Sequence, residues 1–527
     1  MHTEPLTFAD LLCRNRRVHG DTAALITERS AITHAALDEQ SAAVASRLVA
    51  SGVGRSSRVG LVMENGIEWA TLGSAVMRIG AVLVPLSTLL KPPELLSQLQ
   101  MATVTELIVT EEFRGRSYLS DLEAVAPGVT TLGPGRRHAA LPNLRRVWTA
   151  GDLPSPRVEE AMVTALEEMV CPADDLVILF TSGSRDVPKG VIHTHGGAIR
   201  ATSAGLACRC VRTGERLYIP MPFFWTGGFS GGIMTALVAG VTLLTEAVPD
   251  ADSTLQLLER ERATLFRGWP DQAARLARHP RFASADLSAL GPGSLAAVLP
   301  PHARPEPAAR ANLFGMTETF GPYCGDRLDT DLAPGKHGSC GRPFEGMDVQ
   351  IFDPETGEVR PPGVDGEIGV RGPNVMRGIC GRTRSETFDA GGYYRTGDLG
   401  SLDVDGYLWY RGRRDDMFKV SGATVYPAEV EDALRTVDGV RQAFVTNVPG
   451  ETGEQVGALV VTGLSARALD LAIRDRLSSF KVPVLWLVTD RADDVPRSAT
   501  DKVAKPALQA LLERRGVRAG ADPAASI

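Results

Sequence analysis

An unbroken apolar run, Leu176–Phe180, leads into the segment FTSGSRDVPKG, which ends at Gly190. Such a run is typical of a strand covered on both faces, so it predicts a buried strand that ends in this turn. Small hydroxyl residues and glycine let backbone N–H groups converge on an anion, and a lysine adds a positive charge. The segment therefore predicts a phosphate-binding loop, with an ordinary turn between two strands as the alternative. The candidate residues are Thr181, Ser182, Gly183, Ser184 and Lys189.

The bulk composition narrows the class of protein. A length of 527 residues predicts more than one domain. Hydrophobic residues at 43% and charged residues at 23% are ordinary for a globular protein. The net charge of -7 argues against a nucleic-acid-binding surface as the main function. Only two of the cysteines, Cys208 and Cys210, are close in sequence, and their CxC spacing is not that of zinc ligands, so we expect free thiols in a reducing compartment.

No targeting segment is evident in the sequence. The first residues, MHTEPLTFADLLCRNRR, lack the apolar core of a signal peptide. The longest nearly apolar stretch, 233–244, is shorter than the roughly 20 residues that a membrane span needs. We therefore expect a cytoplasmic protein without a transmembrane segment, and membrane association through a surface patch stays open.

Hydrophobic periodicity predicts alternating strands and helices in the first part of the chain. Residues 8–50 are predicted to be helical, and a strand–helix–strand unit of a parallel sheet is predicted over 59–85. The stretch 133–157 is rich in Pro, Gly and Arg and is predicted to be an irregular linker. From 338, short alternating strands with glycine turns predict a small sheet or barrel. A mixed α/β segment follows a composition change near Arg411.

Two further segments carry candidate functional residues. In NLFGMTETFG, Glu318 stands beside the hydroxyl of Thr317, and a carboxylate near a phosphate-binding loop is what Mg²⁺ requires. The alternative is a capped turn with a solvated glutamate. In YYRTGDLG, Asp398 lies in a tight turn that suits ribose hydroxyls, or it bonds its own backbone. Lys502, in PRSATDK, is by itself most simply a solvated surface charge.

Taken in order, FTSGSRDVPKG, LFGMTE, YRTGDL, GRRDDMFKVSGATVYPAEVE and PRSATDK resemble motifs of the acyl-adenylate-forming superfamily. This superfamily includes acyl-CoA synthetases, peptide-synthetase adenylation domains and luciferases, and the chain is most similar to fatty-acid or related acyl-CoA ligases. The resemblance implies an α/β fold: a large N-terminal domain of two α/β sheet subdomains and a small β-barrel subdomain, then a small mobile α+β lid. The implied domains are 1–411, a hinge at 412–416, a lid at 417–515 and a disordered tail at 516–527.

The resemblance also implies roles for the candidate residues. Activation of a carboxylic acid as acyl-AMP would use ATP and Mg²⁺, with the loop from Thr181 to Lys189 on the phosphates and Glu318 on the metal. Thr317 would contact the α-phosphate, and Lys502 would bridge the carboxylate and that phosphate. The remaining ATP contacts implied are Phe314, Gly315, Met316, Asp398 and Arg413, the last two on the ribose.

A second step would transfer the acyl group to a thiol. The lid would rotate about Asp415 and bring the segment from Lys419 to Gly422 to the site, opening a tunnel for the pantetheine of CoA. Two departures from the family pattern are Arg185-Asp186 in the loop and Asp501 before the lysine. Like charges about 4 Å apart repel by roughly 4 kcal/mol at an effective dielectric of 20, so Asp186 is expected to point away from the phosphates or to pair with Arg185.

The segment PMPFFWTGGFSGG indicates the class of acid. Trp225 stands where amino-acid-activating members of the superfamily commonly carry Asp for the α-ammonium group, so the resemblance argues against an α-amino acid, and an indole suits the wall of an apolar pocket. The predicted pocket residues are Trp225, Gly227, Gly228, Trp269 and Phe314. A fatty acid is the expected substrate and CoA the expected acceptor. The alternatives are an adenylating enzyme that loads the phosphopantetheine of an acyl carrier protein, and a degenerate adenylate-binding protein; a homodimer is kept open.

Overall fold

The computed structural model describes residues 6–133, 135–181, 188–306, 308–420, 423–450, 453–474, 476–477, 479–497 and 503–518. Its strands are β1 Ala23–Ile26, β2 Ala31–Thr33, β3 Arg58–Val62, β4 Val82–Leu86, β5 Glu106–Val109, β6 Arg146–Thr149, β7 Asp175–Thr181, β8 Lys189–Thr194, β9 Arg216–Tyr218, β10 Thr242–Leu244, β11 Leu265–Phe266, β12 Phe314–Met316, β13 Gly321–Gly325, β14 Arg342–Pro343, β15 Asp348–Phe352, β16 Gly366–Arg371, β17 Gly378–Ile379, β18 Tyr394–Leu402, β19 Leu408–Arg413, β20 Phe418–Val420, β21 Ala423–Val425, β22 Val440–Gly450, β23 Gly453–Thr462, β24 Leu485–Thr489 and β25 Val517–Arg518.

Its α-helices are α1 Phe8–His19, α2 His34–Ala50, α3 Ile67–Arg78, α4 Pro92–Met101, α5 Tyr118–Val125, α6 Glu160–Glu168, α7 His195–Ala204, α8 Thr226–Gly228, α9 Thr235–Ala239, α10 Ala251–Arg260, α11 Pro270–Ala277, α12 Arg384–Thr387, α13 Pro427–Arg435, α14 Ala466–Arg474 and α15 Lys505–Arg515. Across the described ranges, no helix is both long enough and apolar enough to cross a membrane. The chain divides into two compact units. The first is Met1–Val349, Val370–Tyr394 and Gly406–Leu408; the second is Gln350–Gly369, Arg395–Asp405 and Trp409–Ile527.

The first unit contains a sheet of seven described strands in the order β17-β8-β7-β4-β3-β5-β6. The strands β7, β4, β3, β5 and β6 run parallel, and β8 turns back antiparallel to β7. The predicted strand–helix–strand unit over 59–85 is confirmed by β3, α3 and β4. The apolar run is fully buried, because Leu176 and the three residues after it are all 0% exposed.

A second sheet of the first unit has the order β11-β9-β10-β1-β2, parallel except for β2. The prediction of helix throughout 8–50 is wrong here, since β1 and β2 separate α1 from α2. The reason is tertiary: Leu25 of β1 pairs with Leu243 of β10, more than 200 positions away, which local periodicity does not reveal.

The predicted linker at 133–157 also needs correction. Residues of β6 pair in parallel with β5, with Arg146 opposite Glu106 and Thr149 opposite Val109. All four residues of β6 are only partly buried, so the edge strand carries little hydrophobic signal. A short antiparallel sheet, β12-β13-β14, completes the first unit's described strands.

The second unit contains most of a sheet in the order β15-β16-β18-β19, a β20-β21 hairpin and a sheet in the order β22-β23-β24-β25. Helices α13 and α14 pack on β22 and β23 around Trp486, which is 0% exposed. The predicted hinge, 412–416, includes a 3₁₀ turn at Arg414–Asp416, and its movement stays a proposal. In the predicted tail, Val517 pairs with Trp486 of β24.

Candidate active site

The predicted phosphate loop joins two strands of the large sheet. Strands β7 and β8 form an antiparallel pair in which Thr181 lies opposite Lys189. Residues 182–187, which include Ser182, Gly183 and Ser184, lie outside the described residues. The two described ends of the loop, Thr181 and Lys189, are therefore held next to each other by the sheet.

The predicted catalytic turn, Thr317–Thr319, is a 3₁₀ turn between β12 and β13. It ends at Phe320, whose φ of 58° lies in the left-handed region that non-glycine residues seldom adopt. The backbone N–H of Phe320 donates to the carbonyl of Thr317 over 3.0 Å. The side chain of Thr226 donates to the Thr317 hydroxyl over 2.9 Å. The turn is thus fixed from two sides, with the Thr317 hydroxyl held by a segment predicted to line the acid pocket.

A histidine that the sequence did not single out also holds this turn. Nε2 of His193, on β8, donates to the carbonyl oxygen of Thr317 over 2.7 Å. Its ring meets Phe320 edge-on, with ring centroids 4.9 Å apart. Burial lowers the pKa of His193 to about 4, against a smaller raising effect of its hydrogen bond to Thr317. The imidazole is therefore neutral at pH 7 and carries its proton on the nitrogen that faces the turn.

Glu318 is a buried carboxylate without a positive partner in the described part of the chain. Its side chain is buried at 6% exposure, and Oε1 accepts a hydrogen bond of 2.9 Å from the hydroxyl of Tyr394. Among the described residues, no lysine, arginine or histidine forms an ion pair with it. A buried charge is costly unless it is paired or coordinates a metal. The site therefore fits a cation that reaches Glu318 from a ligand, which is the way in which Mg²⁺ combines a carboxylate with phosphate oxygens.

The predicted acid-pocket segment is built around α8. Trp225 is half-buried, and its ring lies edge-on to Phe224 with centroids 5.4 Å apart. A Cβ on Gly228 would lie 2.1 Å from the carbonyl oxygen of Pro222, and one on Gly227 would lie 2.5 Å from Sδ of Met221. These two glycines allow close packing, and Gly228 meets rigid backbone. A π-helical turn, Phe229–Met234, follows, and such turns are frequent at functional sites.

The other predicted contacts of the first unit lie on separate elements. Trp269 precedes α11 and is 57% exposed. Phe314, Gly315 and Met316 form β12. The ring of Phe314 meets that of Tyr323 with centroids 5.6 Å apart. A Cβ on Gly315 would lie 2.2 Å from the carbonyl oxygen of Gly321, so this strand crossing requires glycine.

In the second unit, the two residues predicted to contact the ribose, Asp398 and Arg413, are hydrogen-bonded to each other. Nη1 of Arg413 lies 3.1 Å from Oδ1 of Asp398 and donates to the carbonyl of Thr396 over 2.8 Å. The backbone N–H of Asp398 donates to the Thr396 hydroxyl over 3.0 Å. Gly397 has a φ of +73°, and a Cβ there would lie 3.0 Å from Nη2 of Arg413. Asp398 is only 6% exposed, so the turn presents a fixed carboxylate next to a guanidinium.

The remaining predicted residues are described in part or not at all. Asp415 lies in the Arg414–Asp416 turn, and Lys419 lies on β20, opposite Thr424. Lys502, Gly422, Arg185-Asp186 and Asp501 are outside the described residues. Their predicted roles stay predictions.

Sequence reasoning also missed the residue that orders the acid-pocket segment. The side chain of Asn65, 6% exposed, donates to the carbonyl of Met221 and to the Thr245 hydroxyl, both over 3.0 Å, and accepts from the N–H of Phe223 over 2.7 Å. The available signal was its position just after β3, because parallel strands place such residues at the edge where ligands bind.

A family model described as AMP-binding enzyme matches residues 12–380. The chain belongs to the AMP-binding enzyme family. The predicted membership and the mixed α/β fold are thereby confirmed.

Two relatives and one solved structure illustrate what this AMP-binding enzyme is similar to. A methyl-dioxo-octahydro-indenyl-propanoyl:CoA ligase of Mycobacterium tuberculosis is 32% identical over 93% of this chain and 96% of the relative. A long-chain-fatty-acid–CoA ligase of the same species is 28% identical over 91% and 92% of the two chains. The structure of ATP-bound MatB from Rhodopseudomonas palustris matches with a TM-score of 0.76 and 26% identity, covering 95% of this chain and 98% of MatB.

Proposed function

We propose that this AMP-binding enzyme is an acid–CoA ligase that activates an apolar carboxylic acid with ATP and Mg²⁺. The observation that carries the proposal is the buried Glu318, which lacks a positive partner among the described residues and lies in a turn held by His193 and Thr226. The named relatives, which are CoA ligases for a ring-bearing acid and for a fatty acid, support the CoA acceptor. A fatty acid or another apolar acid is the proposed substrate, since about 0.8 kcal/mol is gained for each buried methylene.

The reaction has two steps. A carboxylate oxygen of the acid attacks the α-phosphorus of ATP, the bond to the bridging oxygen breaks, and pyrophosphate leaves. The thiolate of CoA then attacks the acyl carbon and releases AMP. Glu318 would hold Mg²⁺, which would supply positive charge to neutralise the phosphates. Most of the catalysis is therefore proposed to be positioning and electrostatic stabilisation.

The chain's own residues supply the remaining contacts. Thr181 and Lys189 flank the loop proposed to hold the outgoing phosphates, and the Thr317 hydroxyl is proposed to hold the α-phosphate. In the second unit, Asp398 with Arg413 is proposed to bind the ribose. Lys502 is proposed to bridge the acid and the α-phosphate, and the lid movement about Asp415 is proposed to admit the pantetheine thiol.

The test is pyrophosphate exchange into ATP with a panel of carboxylic acids, followed by addition of CoA. We expect exchange with apolar acids and none with α-amino acids, then acyl-CoA and AMP when CoA is added. Transfer to the phosphopantetheine of a carrier protein but not to CoA would identify the carrier-loading alternative. Absence of exchange with every acid would overturn the proposal and favour an adenylate-binding protein without turnover.

A further inference from the structure

Two arginines of the first unit, one buried and one half-buried, have no carboxylate partner among the described residues. Arg209 is 6% exposed, and its guanidinium donates to the carbonyls of Gly205 and Thr202, each over 3.1 Å, and to the Thr235 hydroxyl over 3.0 Å. Arg267 is half-buried, and within the described chain its side chain makes one hydrogen bond, from Nη1 to the carbonyl of Gly293 over 2.7 Å. In the same described ranges, neither forms an ion pair with Asp or Glu.

Both arginines are charged at neutral pH. Burial lowers the pKa of each to about 10, and for Arg209 the positive charge of Arg267 lowers it further. A desolvated charge is retained where acceptors satisfy it. Arg209 has acceptors on all three of its nitrogens, so it is satisfied by the protein. The guanidinium of Arg267 has five N–H donors, and in the described chain it bonds one acceptor, the carbonyl of Gly293. Its remaining accessible surface leaves room for another acceptor.

Arg209 is linked by hydrogen bonds to the segment that shapes the predicted acid pocket, and Arg267 is close in sequence to a predicted pocket residue. Arg267 directly follows β11, at the carboxyl end of parallel strands, where open α/β sheets bind ligands. It stands two positions before Trp269. Thr235, the partner of Arg209, donates to the carbonyl of Ser230 over 2.7 Å. The hydroxyl of Ser230 in turn donates to the carbonyl of Phe320, beside the catalytic turn, over 2.5 Å.

From this arrangement we infer that Arg267, backed by Arg209, forms a polar end to the acid pocket and binds an oxygen at the far end of the substrate acid. The inference rests on the proposed function and narrows its substrate class. The acid has an apolar body with an acceptor oxygen, a ketone or a second carboxylate, remote from the carboxyl group that is activated. A plain fatty acid bound there would displace water from the Arg267 donors without replacing its hydrogen bonds, which a pocket discriminates against strongly.

The test compares acids of one chain length: decanoate, the keto acid with its carbonyl next to the terminal methyl group, and decanedioate. In pyrophosphate exchange, the wild-type enzyme is expected to prefer one oxygenated acid over decanoate by about tenfold or more in kcat/KM. The keto acid and the diacid distinguish a neutral acceptor from an anion. Arg267→Met is expected to abolish this preference by lowering kcat/KM for the oxygenated acid about tenfold or more, and Arg267→Lys to retain part of it for the diacid.

The matched control is Arg278→Met, an exposed arginine that follows α11, which should leave the preference unchanged. Urea unfolding of each variant separates loss of selectivity from loss of fold. If the wild type shows no preference, or Arg267→Met keeps it, the inference is wrong while the ligase proposal stands. If no acid of any class supports exchange, the ligase proposal itself fails. Should Arg267→Met not fold, the wild-type preference and Arg267→Lys still decide the outcome.

Discussion

The carboxylate of Glu318 shows how a single residue acquires its role from its surroundings. An exposed glutamate needs no partner, whereas this one is buried with the Tyr394 hydroxyl on one oxygen. Because the Glu318 carboxylate is buried, its negative charge needs a cation beside it when a phosphate binds. The sequence placed the residue in a turn, and the tertiary structure removed the solvated alternative.

Glu318→Gln should lower the rate of pyrophosphate exchange on the order of 10²-fold, because it removes the charge that balances a cation in a desolvated site. The measurement is exchange at a series of Mg²⁺ concentrations, where the half-saturating concentration should rise. Glu345→Gln, at an exposed position, is the control and should behave as wild type. Equal Mg²⁺ dependence in both variants would exclude Glu318 as the metal ligand.

His193 is expected to act as a positioning residue through the Thr317 carbonyl. His193→Leu leaves that carbonyl without this donor and should lower kcat for exchange about tenfold, since a buried hydrogen bond contributes roughly 1 kcal/mol or more. His193→Gln retains an N–H donor and should recover part of the rate. If Leu and Gln variants share one kcat, the bond to Thr317 has no part in positioning the turn.

At the scale of elements, the close approach of α8 to the backbone of Pro222 depends on glycine at position 228. Gly228→Ala places a Cβ 2.1 Å from a backbone oxygen, which no side-chain rotation relieves. We expect a loss of about 1–3 kcal/mol in the free energy of unfolding, measured with urea. Gly231→Ala is a matched control in the adjoining π-helical turn, because nothing lies within 4 Å of its added Cβ. A Gly228→Ala variant as stable as Gly231→Ala would show that α8 shifts freely.

The strands and helices also differ in whether a local sequence pattern could predict them. The run Leu176–Leu179 was identifiable because a strand buried on both faces is apolar throughout. The edge strand β6 and the short β1 were not, because one is only partly buried and the other is defined by pairing with β10. The π-helical turn at Phe229–Met234 is likewise visible only in the structure, since its i+5 hydrogen bonds leave no clear sequence signature.

On the scale of the whole molecule, stability should depend on pH through buried histidines. Burial lowers the pKa of His34, His193 and His195 to about 4, below the ordinary 6.5. Nδ1 of His195 also accepts a hydrogen bond from the N–H of Phe8 over 3.1 Å, which protonation of that nitrogen would break. The unfolded chain binds these protons first, so stability is complete above about pH 6.5 and falls as the pH drops towards 4.

Each histidine is expected to contribute about 3 kcal/mol at most to this loss. The measurement is urea unfolding at pH 7, 6 and 5. His195→Asn should flatten the pH dependence, whereas His302→Asn, at an exposed position, should leave it unchanged. Identical slopes in both variants would show that the pKa of His195 is the same in the folded and unfolded chains.

A substitution of Lys502 tests whether the two half-reactions use different residues. Lys502→Ala should abolish most acyl-AMP formation but leave thioester formation from supplied acyl-AMP and CoA nearly intact, because the lysine is proposed to act only while the anhydride forms. The two rates are measured separately by pyrophosphate exchange and by acyl-CoA release. Full exchange activity in this variant would remove Lys502 from the mechanism.

The family and the α/β fold could be predicted from the amino-acid sequence, because each motif is a short, continuous stretch of residues. The sequence also determined the candidate identities of Thr317, Glu318, Asp398 and Arg413, each within one turn or strand. The contact of His193 with Thr317, the burial of Arg209 and the half-burial of Arg267, each arginine without a carboxylate partner in the described ranges, became visible only in the folded chain. The physical reason is that hydrogen-bond partners and desolvation depend on segments far apart in the chain, which local patterns do not encode.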